Sequence, residues 1–467
     1  MFTAKYSRKD DEDPAGNAAG DPERPAAWPA PVAAGPLNAT LQLPGSKSLT
    51  NRELVLAALA DGPGLLRRPL HSRDSQLMVE ALRALGVGIE EVPGDGAFGP
   101  DWLVTPAEEL LGSTSIACGL AGTVMRFVPS VAALALGPTA FDGDESARRR
   151  PMRAILDALR ELGADIADEG RGKLPFTVHG TGTMRGGRVE LDASLSSQFV
   201  SGLLLSAPRF AEGVHVVHTG ERLPSVPHIE MTLDTLRRRG VACSSPAPGE
   251  WVVEPGPIRA ETRDIEPDLS NAAPFLAAAV VAGGRVTITG WPSDTTQVGD
   301  HLREILPAFG GAVSLDGDAL TVTGTGVVRG TRLDLGAAGE LSPTAIGLAA
   351  LAEGPAEISG IGHIRHHETD RIAALATELD RIGSAVTELP EGIRTEPAEL
   401  RGARWLSYED HRMATTGALI GLRVPGVTVD DVETTAKTLP QFTELWATMV
   451  ATASPEPAPS AEATPDA

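Results

Sequence analysis

Positive charge is the first thing this chain lacks: 40 Lys and Arg face 62 Asp and Glu, for a net charge of −22. A nucleic-acid partner would need a basic surface, so that class is set aside, and any anionic ligand must be held by a local cluster of cations. Cysteine is almost missing. The two thiols, Cys118 and Cys243, are too few for a disulfide framework and fit a reducing compartment, where they read as small buried apolar residues. No uncharged apolar run reaches the about 18 residues that a bilayer span needs, although 128–136 and 272–281 are apolar enough for buried helices. A cytoplasmic protein without a membrane partner is expected. Several catalytic signatures are also missing. There is no Walker loop and no His-Glu-x-x-His helix, while Gly180-Thr181-Gly182 and Gly324-Thr325-Gly326 lack the full dinucleotide fingerprint. Kinase and dehydrogenase readings lose ground, and a zinc site is disfavoured.

What is present is ordinary globular usage, 42% hydrophobic over 467 residues, with length for more than one domain. The 51 glycines punctuate short apolar runs, which favours many short strands and helices over a few long ones. Residues 1–36 and 453–467 are rich in Pro, Ala and charge and are expected to be disordered, since neither can bury a core. The first of them has no apolar region of the kind a signal peptide carries.

One pattern recurs: an apolar-periodic helix ending in a Leu-Arg-x-Leu-Gly-like run, then a strand-like stretch. It occurs at 81–87, 158–164 and 235–241, with glycines spaced 163 − 86 = 77 and 240 − 163 = 77. Further copies end at Gly311 and Gly383, spaced 383 − 311 = 72. Each glycine suits the left-handed position that closes a helix. Helix-Gly-strand junctions are common in α/β proteins, but a near-constant period of this size predicts repeated βαβαββ units, three to a lobe. The lobe boundary is placed at 263–267, ahead of an apolar helix at 268–281, with ligands in the cleft between lobes.

The chemistry-bearing segments cluster at helix starts. Pro44-Gly45-Ser46-Lys47-Ser48-Leu49-Thr50-Asn51-Arg52 is a turn feeding a helix over 49–60, with Lys47, Ser48 and Arg52 in or beside its first turn. Cations gain nothing from the positive end of a helix dipole, whereas an anionic ligand there would explain them. A surface loop with incidental charges is the plainer alternative. Gly122 lies in a second glycine-rich turn, 118–127, where backbone N–H groups could approach an anion or merely start a helix. Arg148-Arg149-Arg150-Pro151 precedes a helix at 152–162 and is either a solvated charge run or a further anion contact. Ser196, Ser197 and Gln198 stand before a helix at 200–207 as caps or ligand contacts. Ser225 lies in a Pro-bounded loop. Residues 362–371 pack His363, His366, His367, Glu368, Asp370 and Arg371 together, and Arg412 and Lys437 add later cations. Glu340 is a lone acid ahead of a helix at 344–351, as a cap or as an acid-base group.

In order and spacing over about 38–450, these segments resemble the 5-enolpyruvylshikimate-3-phosphate synthase family. The specific matches are Leu43-Pro44-Gly45-Ser46-Lys47-Ser48 with Asn51-Arg52, Ala121-Gly122-Thr123 with Met125-Arg126, Ser196-Ser197-Gln198-Phe199, Glu368-Thr369-Asp370-Arg371, Asp410-His411-Arg412-Met413 and Ala436-Lys437-Thr438. The resemblance implies an α/β fold: a two-lobe, inside-out α/β barrel of six βαβαββ repeats. The first lobe would be 37–45 plus 267–452 and the second 46–266. It also implies a monomeric transferase of the shikimate pathway to chorismate and the aromatic amino acids, moving the enolpyruvyl group of phosphoenolpyruvate to the 5-hydroxyl of 3-phosphoshikimate and releasing phosphate.

Carried over residue by residue, Ser48, Arg52, Ser196, Ser197, Ser225, His363 and His367 are expected to contact 3-phosphoshikimate. Gly122, Arg150, Arg371, Arg412 and Lys437 are expected on phosphoenolpyruvate, with Lys47 and Gln198 on both. Glu340 stands where the family has its substrate-hydroxyl base, usually aspartate, and Glu368 is expected to be the partner acid with Lys47. Leu120 and Phe127 depart from the family's asparagine and proline, and His367 replaces a lysine. Because histidine titrates near neutrality, substrate affinity is expected to weaken as pH rises. Gly122, where alanine is associated with glyphosate resistance in the family, predicts glyphosate as an inhibitor. The sister UDP-N-acetylglucosamine enolpyruvyl transferases have Lys-Asn at Lys47-Ser48 and a cysteine in the loop that is 143–150 here, which contains none. A non-catalytic two-lobe anion-binding protein would not require Glu340, Glu368 and Lys47 together.

Overall fold

The computed structural model describes residues 27–454, built from short strands and helices as the glycine punctuation implies. The stretch 114–181 shows the repeating unit. Strand Thr114–Ala117 leads through helix Gly122–Ala132 to the parallel strand Leu136–Asp142. Helix Arg153–Glu161 then leads to the antiparallel pair Asp165–Ala167 and Phe176–Thr181. The last strand inserts beside the second, so the sheet order is first, second, fourth, third, and four other sheets keep that order. Parallel neighbours joined through a helix, closed by a hairpin, are the βαβαββ arrangement that the repeat predicts.

Two units borrow their first strand from elsewhere in the chain. Thr262–Asp264 lies parallel to Gly64–Arg67, and Leu37–Leu41 lies parallel to Gly284–Thr289. The buried apolar side chains accordingly form two separate clusters, one running from Leu54 to Ile258, the other from Ala30 to Leu43 and from Leu269 to Met449. The two crossings lie side by side. Gly45 bridges Pro267, Ser46 N–H donates to the Glu266 carbonyl at 2.7 Å, and Asp268 N–H donates to the Pro44 carbonyl at 2.9 Å. A Cβ on Gly45 would stand 2.4 Å from the Arg68 carbonyl oxygen, so this crossing admits no side chain.

Four expectations are corrected. Most of the terminal segments expected to be disordered lie outside the described residues, but 27–36 do not: Trp28–Pro29 pairs with Thr428–Val429, and Ala30 is buried. Trp28 packs edge-on against Phe442 with centroids 6.4 Å apart, a contact that average composition conceals. The helix expected at 268–281 is Ala273–Ala282, because the Asp268 carboxylate turns the chain first by accepting from Asn271 N–H at 2.9 Å. In the fourth repeat the left-handed glycine is Gly310 (φ 100°), one residue before the Gly311 read from the sequence. Of the cysteines, Cys118 is buried, its thiol pushed up to about 12 first by burial and then by Asp142, whereas Cys243 is only half-buried.

Candidate active site

Helix Lys47–Ala58 begins where Ser46 accepts from Leu49 N–H at 3.4 Å. Lys47 is tied to both sides of the cleft: its N–H donates to Asp268 at 3.1 Å and its Nζ lies 3.5 Å from Asp74 Oδ2. Arg52 points inward. It donates to the carbonyls of Ser48 and His228, both at 2.9 Å, and to Thr232 Oγ1 at 2.8 Å, with Phe127 beneath its guanidinium. Burial lowers its pKa to about 9 against the opposing pull of Glu340, so it stays a cation at neutral pH.

A second set of cations meets at the start of helix Gly122–Ala132. Arg126 Nη1 donates to Gln198 Oε1 at 2.8 Å, and Arg150 Nη1 donates to the Leu120 carbonyl at 3.2 Å. A Cβ on Gly122 would stand 2.8 Å from Arg126 Nη1 and 3.1 Å from both Arg150 Nη2 and Gln198 Oε1. The Nε atoms of both arginines are buried and have no hydrogen-bond partner among the described residues. Burial, and then the neighbouring Arg150, push the Arg126 pKa well down, with Glu368 opposing. A compact anion at Gly122 would relieve that cost.

Glu368, Arg371, Asp410 and Lys437 form a buried network. Lys437 Nζ donates to Glu368 Oε1 at 2.5 Å and Arg371 Nη2 to Glu368 Oε2 at 3.0 Å. Asp410 takes Arg371 in a two-point grip, at 2.7 Å from Nε and 3.1 Å from Nη2, and also accepts from Arg412 N–H at 2.9 Å, capping helix His411–Gly421. Burial alone would raise the Glu368 carboxyl. Lys437, Arg371 and Arg150 override it and hold the group well below the usual carboxylate range. For Arg371 too, burial is opposed by Asp410 and Glu368, and the net direction is up.

Glu340 sits in the one-turn helix Gly339–Leu341. Ser270 Oγ donates to its Oε1, His228 Nε2 meets Oε2 at 3.2 Å, and Arg412 Nη2 lies 3.7 Å from Oε2. Burial by itself raises this carboxyl, but His228, Arg412 and Ser270 together leave it well below its ordinary value. The same groups, with Lys47, Ser48 and Gln198, line a cavity of about 70 Å3. An ionised carboxylate and an amine-bearing side chain on one small polar cavity supply the groups that acid-base chemistry at a hydroxyl requires.

The remaining expected residues do not line this cavity. Ser196 Oγ accepts from Gln198 N–H at 3.3 Å, Ser197 is buried, and Ser225 holds a left-handed backbone (φ 53°) ahead of helix Val226–Arg238. His363 lines a larger cavity of about 710 Å3 between the lobes, with Arg222 and Glu391. Burial, then Arg371, lower its pKa to about 4. His367 corrects an expectation. Burial and the adjacent Arg371 push its pKa well below 6.5, and its Nδ1 accepts from Arg371 Nη1 at 2.9 Å, so the ring is neutral across the physiological range. Asp268, Ser270, Asn271 and His228 also line the small cavity and were not singled out from sequence. The first three precede an apolar helix, as the other motifs do, but bring no cation to reveal them. Among the described residues no group of three His, Cys, Asp or Glu could hold a metal ion.

Residues 32–446 match the family model described as EPSP synthase (3-phosphoshikimate 1-carboxyvinyltransferase). The chain belongs to the EPSP synthase family. It is 55% identical over 428 residues to a 3-phosphoshikimate 1-carboxyvinyltransferase of Kocuria rhizophila, an alignment covering 91% of this chain and 96% of that one. Solved structures share the fold. An EPSP synthase from Acinetobacter baumannii superposes with a TM-score of 0.73 at 24% identity, covering 91% of this chain and 97% of that one. The enolpyruvyl transferase NikO from Streptomyces tendae gives 0.69 at 18%, with 91% and 96% covered. The cleft described above is therefore that of a two-lobe EPSP synthase fold, and the chain is a transferase of that family. Among the described residues no helix is long and apolar enough to cross a membrane.

Proposed function

We propose that the cleft binds phosphoenolpyruvate and 3-phosphoshikimate and passes the enolpyruvyl group to the 5-hydroxyl of the latter. The observation that carries the placement is the convergence of Arg126, Arg150 and Gln198 on Gly122, with two buried Nε–H groups still to be satisfied. A phosphate of phosphoenolpyruvate fills that position, and Arg371, Arg412 and Lys437 take the remainder of the same substrate. 3-Phosphoshikimate lies toward Ser48, Arg52, Ser196, Ser197, Gln198, Ser225, His363 and His367, where its 5-hydroxyl reaches Glu340.

Glu340, ionised and oriented by Ser270, accepts the hydroxyl proton as the oxygen bonds to the carbon that bears the phosphate ester. The methylene carbon is protonated in the same addition by Lys47. Glu368 is held ionised by Lys437 and Arg371, so in place of the acid role expected from sequence we assign it the reverse transfer. It takes a methyl proton as the carbon–oxygen bond to phosphate breaks. Return of that proton to Lys47, and of the Glu340 proton to the departing phosphate, restores the enzyme.

Glyphosate competes for the phosphoenolpyruvate position, because Gly122 leaves that position open. The enzyme acts as a cytoplasmic monomer, without metal or organic cofactor. The test is phosphate release from phosphoenolpyruvate and 3-phosphoshikimate by the native chain and by Glu340→Gln. We expect release by the first and a loss of about 100- to 10,000-fold in kcat for the second. Equal rates would remove Glu340 from the reaction.

A further inference from the structure

His228 is left over by the reaction as just described, yet it is the residue through which one lobe touches the carboxylate carried by the other. It sits in the first turn of helix Val226–Arg238, among elements whose side chains pack in the core that runs from Leu54 to Ile258. Glu340 belongs to the turn Gly339–Leu341, whose Leu341 lies in the other core. The other two groups on the carboxylate, Ser270 and Arg412, come from that second side of the cleft. His228 Nε2, at 3.2 Å from Oε2, is thus the partner that reaches Glu340 from the opposite lobe. Because a carboxylate only accepts, Nε2 is the protonated nitrogen of the ring.

The main chain of His228 is fixed independently of its ring. Its carbonyl oxygen accepts from Arg52 Nη2 at 2.9 Å, Thr232 Oγ1 at 3.0 Å and Ser201 Oγ at 3.4 Å. The left-handed Ser225 and Pro227 set where the helix starts, and so where the ring projects. A ring carried on a backbone held this firmly, with its Nε2 at a carboxylate across the cleft, places a donor where it can fix the direction of that carboxylate. The lobes meet at the paired crossings of Gly45 and Pro267 and through side-chain contacts across the cleft, among them Ser146 with Glu409 and Arg222 with Glu391, and His228 with Glu340 is the one that falls on the proposed base.

We propose that His228 is a positioning residue for Glu340: its Nε2–H, reaching across the cleft from the opposite lobe, orients the carboxylate as the base. The inference rests on Glu340 being the hydroxyl base.

The test compares His228→Gln, whose amide N–H can occupy the place of Nε2–H, with His228→Asn, whose amide falls short, and His228→Leu, which removes the donor. Steady-state phosphate release with phosphoenolpyruvate and 3-phosphoshikimate is read as kcat and KM separately, beside the thermal midpoint of each variant. We expect Asn and Leu to lower kcat by about tenfold to a hundredfold through misalignment, with KM for phosphoenolpyruvate within about threefold of native, and Gln to recover most of the loss. If Gln falls as far as Asn, or if Asn keeps the native kcat, the inference is wrong. Should Leu fail to fold, the polar Gln and Asn pair still decides. Glu340→Gln, assayed in parallel, separates the two readings. Native activity in that variant overturns the base assignment itself, whereas its loss together with a fully active His228→Asn overturns only the role given to His228.

Discussion

A methyl group added at Gly122 would press on the ends of three side chains, Arg126, Arg150 and Gln198, rather than on backbone. Those ends can shift, so Gly122→Ala should fold with a thermal midpoint close to native while losing room for the phosphate. We expect KM for phosphoenolpyruvate to rise about tenfold or more, and the apparent inhibition constant of glyphosate to rise further, with kcat less affected. Unchanged KM would place the anion elsewhere. At His367 the sequence suggested a titrating contact. Its neighbour Arg371, its burial and its Nδ1 acceptor role instead keep it neutral, so KM for 3-phosphoshikimate should be flat between pH 6 and 8. A KM rising across that interval would contradict the assignment. That correction was not available from the chain alone, because the arginine matters through its distance and the burial through tertiary packing.

At the scale of elements, the helix starts carried most of what could be read in advance. Lys47, Gly122, Gln198, Glu340, Arg371 and Arg412 all lie at the first turns of their helices, and cations set against a helix dipole are visible as an anomaly in the sequence itself. Asp268 to Asn271 stayed hidden because acids and amides at a helix start need no explanation beyond capping. Asp410 shows how one such acid does two jobs. It caps helix His411–Gly421 and grips Arg371, buried at both ends. Asp410→Ala leaves Arg371 with Glu368 as its remaining carboxylate partner at hydrogen-bond distance and removes the cap. Breaking a buried pair of this kind costs about 3–5 kcal/mol, and the cap about 1 kcal/mol more. Chemical denaturation should show a loss of that size. A loss under about 1 kcal/mol would mean the network relaxes without it.

For the whole molecule, the period near 77 residues gave the repeated unit, and the resemblance gave the arrangement of units in two lobes. The exchanged first strands, Leu37–Leu41 and Thr262–Asp264, are pairings between distant parts of the chain that periodicity does not encode. The same holds for the contacts across the cleft, His228 with Glu340 and Ser146 with Glu409. Buried histidines make the fold sensitive to acid. His363 has a folded pKa of about 4 against 6.5 when free, so the unfolded chain binds more protons between those values. Stability is therefore complete above about pH 6.5 and falls as pH drops toward 4, by about 3 kcal/mol from this residue alone. His363→Gln should flatten the dependence of unfolding free energy on pH in that window. A slope identical to native would show that the ring is not shielded as described.

The central claim is that the cations gathered at these helix starts form one cleft whose acceptor substrate is 3-phosphoshikimate. It is tested most directly by phosphate release from phosphoenolpyruvate, offered with 3-phosphoshikimate or with UDP-N-acetylglucosamine under the same conditions. Release with the first acceptor alone is predicted. Release with UDP-N-acetylglucosamine, or with neither acceptor, would contradict the account.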